Sequence, residues 1–138
     1  MNAPDARAVR LVLDTSAVAA WVRESLAVGE LLAEVDDEHG AVIVPLACLV
    51  EVAHVTPHPE RLDLLIAHPA VFLLSDDPDD WRPLAATRTI VGRADLASAA
   101  WFSLDLKVDV MTRDARWYSG VAGGRRVLEF DDDDKPAE

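Results

Sequence analysis

The sequence predicts an α/β layer fold with a mostly parallel central sheet of four to five strands flanked by helices. Short strand-like runs recur at Val9 to Leu13, Ala41 to Val44, Val71 to Leu74 and Asp109 to Thr112, with Val127 to Phe130 as a fifth candidate. Between successive runs lie one or two stretches of helical periodicity, the pattern of parallel strands joined by crossover helices. The chain has 138 residues, of which 51% are hydrophobic, which excludes a disordered polymer and fits one domain with a sizeable core.

Each element follows from local chemistry. The first run ends at Asp14, and Asp14, Thr15 and Ser16 are all good N-cap residues, so a helix carrying Val18, Ala19, Trp21 and Val22 is expected there. From Leu26 to Glu38, Leu31, Leu32 and Val35 share one face while Glu34, Asp37 and Glu38 take the other, and Gly40 is the expected stop. Pro45 is suited to a first helical position and opens a helix through Val55. A further amphipathic helix spans His58 to Ala67 and is closed by Pro69. After the third strand, the cluster Asp76, Asp77, Pro78, Asp79, Asp80 reads as a turn and an acidic helix start. Helices over Asp79 to Val91 and Ala94 to Leu106 precede the fourth strand.

Residues 1 to 130 form one domain on this reading. Residues 131 to 138 form an acidic tail whose Asp-Asp-Asp-Asp-Lys run, Asp131 to Lys135, resembles an enteropeptidase recognition sequence and is expected to be solvated and disordered. The net charge of −12 speaks against a broad basic nucleic-acid surface. Its distribution is uneven: residues 1 to 80 carry −11, residues 81 to 128 carry +4, and residues 129 to 138 carry −5. An anionic ligand is therefore steered toward the third quarter of the chain. Cys48 is the single cysteine, so no intrachain disulfide forms, and its apolar surroundings suggest a small buried hydrophobe. Met1 to Arg10 holds no apolar leader segment, and no apolar run reaches the roughly 18 residues of a membrane span, so a cytoplasmic protein with no membrane partner is expected.

Ligands of parallel α/β sheets bind outside the carboxyl ends of the strands, which directs attention to acids placed there. Asp14 ends the first strand, and Asp114 follows the fourth in Val110-Met111-Thr112-Arg113-Asp114. Two more acids interrupt apolar helices: Glu51 in Ala47-Cys48-Leu49-Val50-Glu51-Val52-Ala53, and Asp95 at the start of Ala94-Asp95-Leu96-Ala97-Ser98-Ala99-Ala100. Each has an ordinary role available. Asp14 can cap a helix, Glu51 with His54 and His58 can form a wet helix face, Asp95 can complement a helix dipole, and Asp114 can serve in a turn. Together they carry more weight, because clustered carboxylates repel one another and must protonate or hold a cation. An all-oxygen set suits Mg²⁺ or Mn²⁺. Zinc is disfavoured, since His39, His54, His58 and His68 show no ligand spacing with Cys48 and no His-Glu-x-x-His motif.

With these four strings in this order, the chain resembles the PIN-domain ribonucleases, and within them the VapC-type toxins of bacterial toxin–antitoxin pairs. The strings are Leu13-Asp14-Thr15-Ser16, Glu51-Val52-Ala53, Ala94-Asp95-Leu96-Ala97-Ser98-Ala99-Ala100 and Thr112-Arg113-Asp114, and the likeness spans Val9 to Phe130. The resemblance implies a PIN-like three-layer fold and a metal-dependent endoribonuclease in which Asp14, Glu51, Asp95 and Asp114 hold one or two Mg²⁺ or Mn²⁺ ions. It makes Thr15, Ser16 and Thr112 candidates for orienting those carboxylates. Arg113 becomes a candidate for meeting either the substrate phosphate or a neighbouring carboxylate. It further implies an RNA substrate, a homodimer, and a small VapB-like antitoxin partner, with the helices around Trp21 and Leu31 to Val35 as candidates for the partner groove. Some members carry another acid two or three residues after the last motif, where this chain has Arg116 and Trp117, which weakens the case for a second metal. Trp117 and Tyr118 are either packed or available to stack on a base. Trp21, Trp81 and Trp101 are expected in the core or at an interface.

Other enzyme classes fit less well. Haloacid-dehalogenase-like phosphatases need a second Asp two residues after the first, where Ser16 stands, and a receiver domain needs an acidic pair before its phosphoacceptor. The stronger alternative is a non-catalytic PIN-like module that binds RNA or protein.

Overall fold

The computed structural model describes residues 7–124 and 126–131, so all but Asp131 of the expected acidic tail lies outside the described residues. Five strands, β1 (Ala8–Leu13), β2 (Gly40–Pro45), β3 (Val71–Leu74), β4 (Asp109–Thr112) and β5 (Val127–Glu129), form one sheet in the order β3-β2-β1-β4-β5. Every neighbouring pair is parallel. All carboxyl ends therefore lie along one edge, and the earliest strand, β1, occupies the middle.

Six α-helices cover the sheet: α1 (Thr15–Val22), α2 (Leu26–Asp37), α3 (Leu46–Val55), α4 (Glu60–Ala67), α5 (Trp81–Val91) and α6 (Ala94–Leu106). Alternation along the strands sorts side chains into two cores. Leu11 and Leu13 of β1, Val42 and Val44 of β2 and Met111 of β4 pack on one face with Val18 of α1, Leu32 and Val35 of α2, and Leu62 and Leu65 of α4. Val12, Ile43 and Val110 point the other way, onto Leu96, Ala99 and Ala100 of α6 with Tyr118 and Val121. A parallel sheet buried on both faces needs apolar residues at successive positions, which explains the unbroken runs in the sequence. The result is the expected three-layer α/β fold.

Helix α3 lies between α1 and α6. Its Cys48 joins the α6 core while its Val52 joins the opposite one, so the helix ties the two layers together beside the carboxyl edge. The small side chains of Ala97, Ala99 and Ala100 are buried in α6 and permit this close packing.

Several boundaries differ from the sequence expectation for identifiable reasons. The left-handed residue that ends α2 is His39, at φ 58°, rather than Gly40. Gly40 instead opens β2 and is fully buried, where a Cβ would lie 2.7 Å from Arg10 Cγ and 3.3 Å from the Val35 carbonyl. Pro45 ends β2 and is the N-cap of α3, one position earlier than expected. Helix α4 starts at Glu60, and Pro78–Asp80 form a 3₁₀ turn before α5. Trp81 is not a core residue: it is 58% exposed and stacks under Arg82. No helix among the described residues is long and apolar enough to cross a membrane.

Candidate functional site

The carboxyl edge of the sheet collects the acids. Asp14 directly follows β1 and caps α1, its Oδ1 accepting the Ala17 backbone N–H at 3.1 Å and the Ser16 hydroxyl at 2.6 Å. Its Oδ2 accepts the Tyr118 hydroxyl at 2.7 Å. The carboxylate has 0% exposure. Enclosing an ion costs several kcal/mol even after relaxation, and donors to a charged group each return about 1.5–3 kcal/mol, so three donors offset a penalty of that order. Burial first, and then the Asp14 charge, push the Tyr118 phenol far above its usual range.

Asp95 stands in the first turn of α6, and its residue exposure is 5%. Its Oδ2 accepts a very short hydrogen bond from the Thr15 hydroxyl. Arg93 reaches both oxygens, with Nε 3.0 Å from Oδ1 and a terminal nitrogen 2.6 Å from Oδ2. Burial raises this carboxyl, but the Thr15 and Arg93 hydrogen bonds and the Arg93 charge outweigh it, and the group is held below the ordinary carboxylate range. Thr15 thus joins the residue beside Asp14 to Asp95 across 80 positions of sequence. From α3, Cys48 donates its thiol to the Asp95 carbonyl at 3.3 Å.

Glu51 lies one turn beyond Cys48 on α3, exposed and with no side-chain hydrogen bond or ion pair to any described residue. It shares a surface depression of about 350 Å³ with Asp95, Asp76, Leu46 and Val50. Its charge contributes to the raised pKa of Arg93, after the Arg93–Asp95 hydrogen bond and the Asp95 charge.

Asp114 follows β4 and is anchored to the same edge by hydroxyls. Its backbone N–H donates to Thr112 Oγ1 at 3.3 Å, Thr112 Oγ1 lies 3.4 Å from Ser16 Oγ, and the Arg113 N–H donates to Ser16 Oγ at 2.9 Å. Thr112 is fully buried. The Asp114 carboxylate, however, turns into Arg116, which donates to its two oxygens at 2.9 and 2.7 Å, and this pairing holds the acid at about 2. The charge of Arg113 adds to that lowering. Its guanidinium also lies 5.6 Å from the centre of the Trp117 ring.

Asp14 and Asp95 are therefore linked through Thr15, Asp114 reaches the Asp14 cap through Ser16 and Thr112, and Glu51 stands beside Asp95. Among the described residues, no three His, Cys, Asp or Glu side chains gather closely enough to hold a metal ion. Arg93 and Arg116 are the ion-pair partners of Asp95 and Asp114.

Three residues of this edge have no site role in the sequence reading, Asp76, Arg93 and Arg116, and Tyr118 is there only packed or stacked on a base. Asp76 follows β3 by two residues, as Asp114 follows β4, and accepts the Ser98 hydroxyl at 3.0 Å. Burial, opposed by that bond and aided by the Asp80 charge, raises its carboxyl. The strand-end rule that selected Asp14 and Asp114 applies to it as well, since β3 lies where the sequence places it, but the Asp76 to Asp80 cluster also reads as a turn and an acidic helix start. Tyr118 is 1% exposed, so it does not stack on a base.

A five-stranded parallel sheet in this order, with helices on both faces and acids along its carboxyl edge, is a PIN-like fold. Among solved structures, the chain is similar to one from the crystal structure of VapBC2 from Rickettsia felis bound to a DNA fragment from their promoter. The TM-score is 0.69 with 11% identity, covering 89% of this chain and 100% of the other. No protein-family model matches the chain, and no curated protein matches it in sequence.

Proposed function

We propose that this protein is a Mg²⁺- or Mn²⁺-dependent endoribonuclease acting as the toxin of a type II toxin–antitoxin pair. The observation that carries the reading is the hydrogen bond from Thr15 to Asp95, which ties the residue following Asp14 to a second acid at the carboxyl edge of the sheet. The donor set is oxygen only, and its fit to a hard divalent ion rests on Glu51 being unpaired and on the exposure of the competing arginines, 52% for Arg93 and 89% for Arg116. Asp14, Glu51, Asp95 and Asp114 would hold the ion, which supplies an acidified water and charge neutralisation at a phosphodiester.

The chain's own residues do the rest. Thr15 and Ser16 fix the carboxylates of Asp95 and Asp14, and Thr112 fixes the backbone at Asp114. Arg93 and Arg116, once released from their acids, are cations within reach of a phosphate backbone. The net +4 of residues 81 to 128 places these arginines with Arg113 in the most basic third of the chain. Likeness to the Rickettsia complex supports a VapB-like antitoxin as partner. The partner groove expected around Leu31 to Val35 is narrowed by the fold, since Leu32 and Val35 belong to the core. What remains open there is a depression beside Trp21, Gly29, Arg61 and Leu64. A homodimer and a cytoplasmic location complete the proposal.

One observation favours the second reading, a non-catalytic PIN-like module: Asp95 and Asp114 already carry arginine partners, and Asp14 is wholly enclosed. Incubating the purified chain, free of other proteins, with a structured RNA separates the two. Cleavage in Mg²⁺, absent in EDTA and lost in Asp14→Asn, supports the nuclease. Intact RNA under both conditions, with metal binding retained, supports the module.

A further inference from the structure

We infer that the depression at the carboxyl end of β5 is a guanine-reading subsite, in which Glu129 accepts from the N1–H and N2–H donors of the base and Arg113 donates to its O6 and N7; this rests on the reading of the chain as a protein that acts on RNA. Arg113, Glu129, Phe130 and Asp131 line this depression of about 420 Å³. Glu129 ends β5 and its register partner Thr112 ends β4, so the depression adjoins Asp114 at the carboxyl edge of the sheet.

The lining selects the kind of ligand. Two carboxylates, Glu129 and Asp131, outweigh one guanidinium against a phosphate, while that guanidinium disfavours a cation. Both signs are satisfied by a neutral group that carries donors along one side and acceptors along the next. The splayed bases of single-stranded RNA are such groups, and proteins read them on their Watson–Crick and Hoogsteen edges. Guanine alone among the four sets two adjacent donors, N1–H and N2–H, beside two adjacent acceptors, O6 and N7. Adenine and cytosine place a ring acceptor next to the amino group, and uracil offers one donor between two carbonyls, so a carboxylate meets an acceptor on each of them.

Both side chains are placed for this. Glu129 is exposed, and its Oε2 accepts the Ala115 backbone N–H at 3.2 Å. That contact fixes the carboxylate beside the turn after Asp114 and leaves Oε1 without a hydrogen bond among the described residues. Arg113 is exposed as well, with its guanidinium 5.6 Å from the centre of the Trp117 ring. Trp117 in turn packs against the α6 core, so the stack steadies the planar fork of N–H donors that matches O6 and N7.

Anisotropy of fluorescein-labelled uridine heptamers carrying G, A, C or U at the central position, titrated with the full-length protein in EDTA, reads binding without cleavage. The guanine probe is expected to bind about tenfold more tightly than the other three. Inosine, which lacks the N2 amino group, and 7-deazaguanine, which lacks the N7 acceptor, are each expected to lose most of that preference. Glu129→Gln, which can keep the Ala115 contact through its carbonyl, is expected to bind guanine and inosine alike, and Arg113→Met to bind guanine and 7-deazaguanine alike. Equal affinity of the wild type for all four bases, or a guanine preference that Glu129→Gln leaves intact, overturns the subsite while the RNA reading stands. Displacement of the guanine probe by argininamide but not by guanosine gives the depression to a cationic side chain of a protein partner and also overturns it. No binding to any of the RNAs overturns the subsite, and with it, if Mg²⁺ brings no cleavage, the RNA reading. Should a variant fail to fold, the inosine and 7-deazaguanine probes on the wild type still decide.

Discussion

Replacing Arg93 by methionine removes the cation from Asp95 while keeping most of the aliphatic stem. Two distances define what is lost, 3.0 Å to Oδ1 and 2.6 Å to Oδ2. Truncating one partner of a fully buried pair costs about 3–5 kcal/mol, whereas an exposed pair is worth about 0–1 kcal/mol. Here the acid is 5% exposed and the arginine 52%, so solvent screens one side only, and the Thr15 hydroxyl remains on the carboxylate. A loss of about 1–2 kcal/mol at neutral pH follows from these limits. Because Asp95 is held below its ordinary range in the folded chain, its stabilising contribution is present above the unfolded value of about 4 and is lost as pH falls through the lower folded value. Urea unfolding of both proteins at pH 7, 5 and 3.5 is thus expected to show a full gap at the two higher values and a narrowing one at the lowest. Added Mg²⁺ is expected to stabilise the variant more than the wild type, because the guanidinium no longer competes for Asp95. A gap that is unchanged or wider in acid would refute the assignment of Arg93 as the counter-charge of Asp95.

Two other perturbations follow from the same structure. Arg116→Ala removes the donors that hold Asp114 at about 2, so an NMR titration of the Asp114 carboxyl is expected to move up toward the ordinary value of about 4, with little change in urea midpoint; an unmoved titration contradicts the pairing. Gly40→Ala places a Cβ against Arg10 Cγ, which can swing away, and at 3.0 and 3.3 Å from Val35 Cγ1 and its carbonyl oxygen, which is backbone. It is expected to cost about 1–3 kcal/mol in urea unfolding, and a neutral result would mean that α2 shifts freely over β2.

Much of this edge was legible in the sequence because its signals are local. Asp14 after an apolar run and Asp95 in a first helical turn declare their places through capping and dipole chemistry alone, and both lie where expected. The bounds of α6 and β4 match the expectation residue for residue, since a small-residue helix and a short β-branched run have few competing readings. Long-range partners were not legible. Nothing near Tyr118 in sequence points to Asp14, and the ion pairs of Arg93 and Arg116 reach back or forward only two residues in a way that a turn and a helix start both permit. Of the two places expected for Trp81, core or interface, its 58% exposure removes the core, because aromatic character leads to burial only where a second element covers the ring. The role of Gly40 went to packing rather than to helix termination, a distinction that depends on Val35 and Arg10 standing against it.

The carboxyl edge of this sheet is proposed as a divalent-cation site built on Asp14, Glu51, Asp95 and Asp114. Calorimetric titration of the full chain with Mn²⁺, beside Asp14→Asn and Glu51→Gln, tests it most directly. Saturable binding by the wild type is expected, weakened at least tenfold in each variant, with native circular dichroism throughout. No binding by the wild type, or binding that both variants leave unchanged, would contradict it.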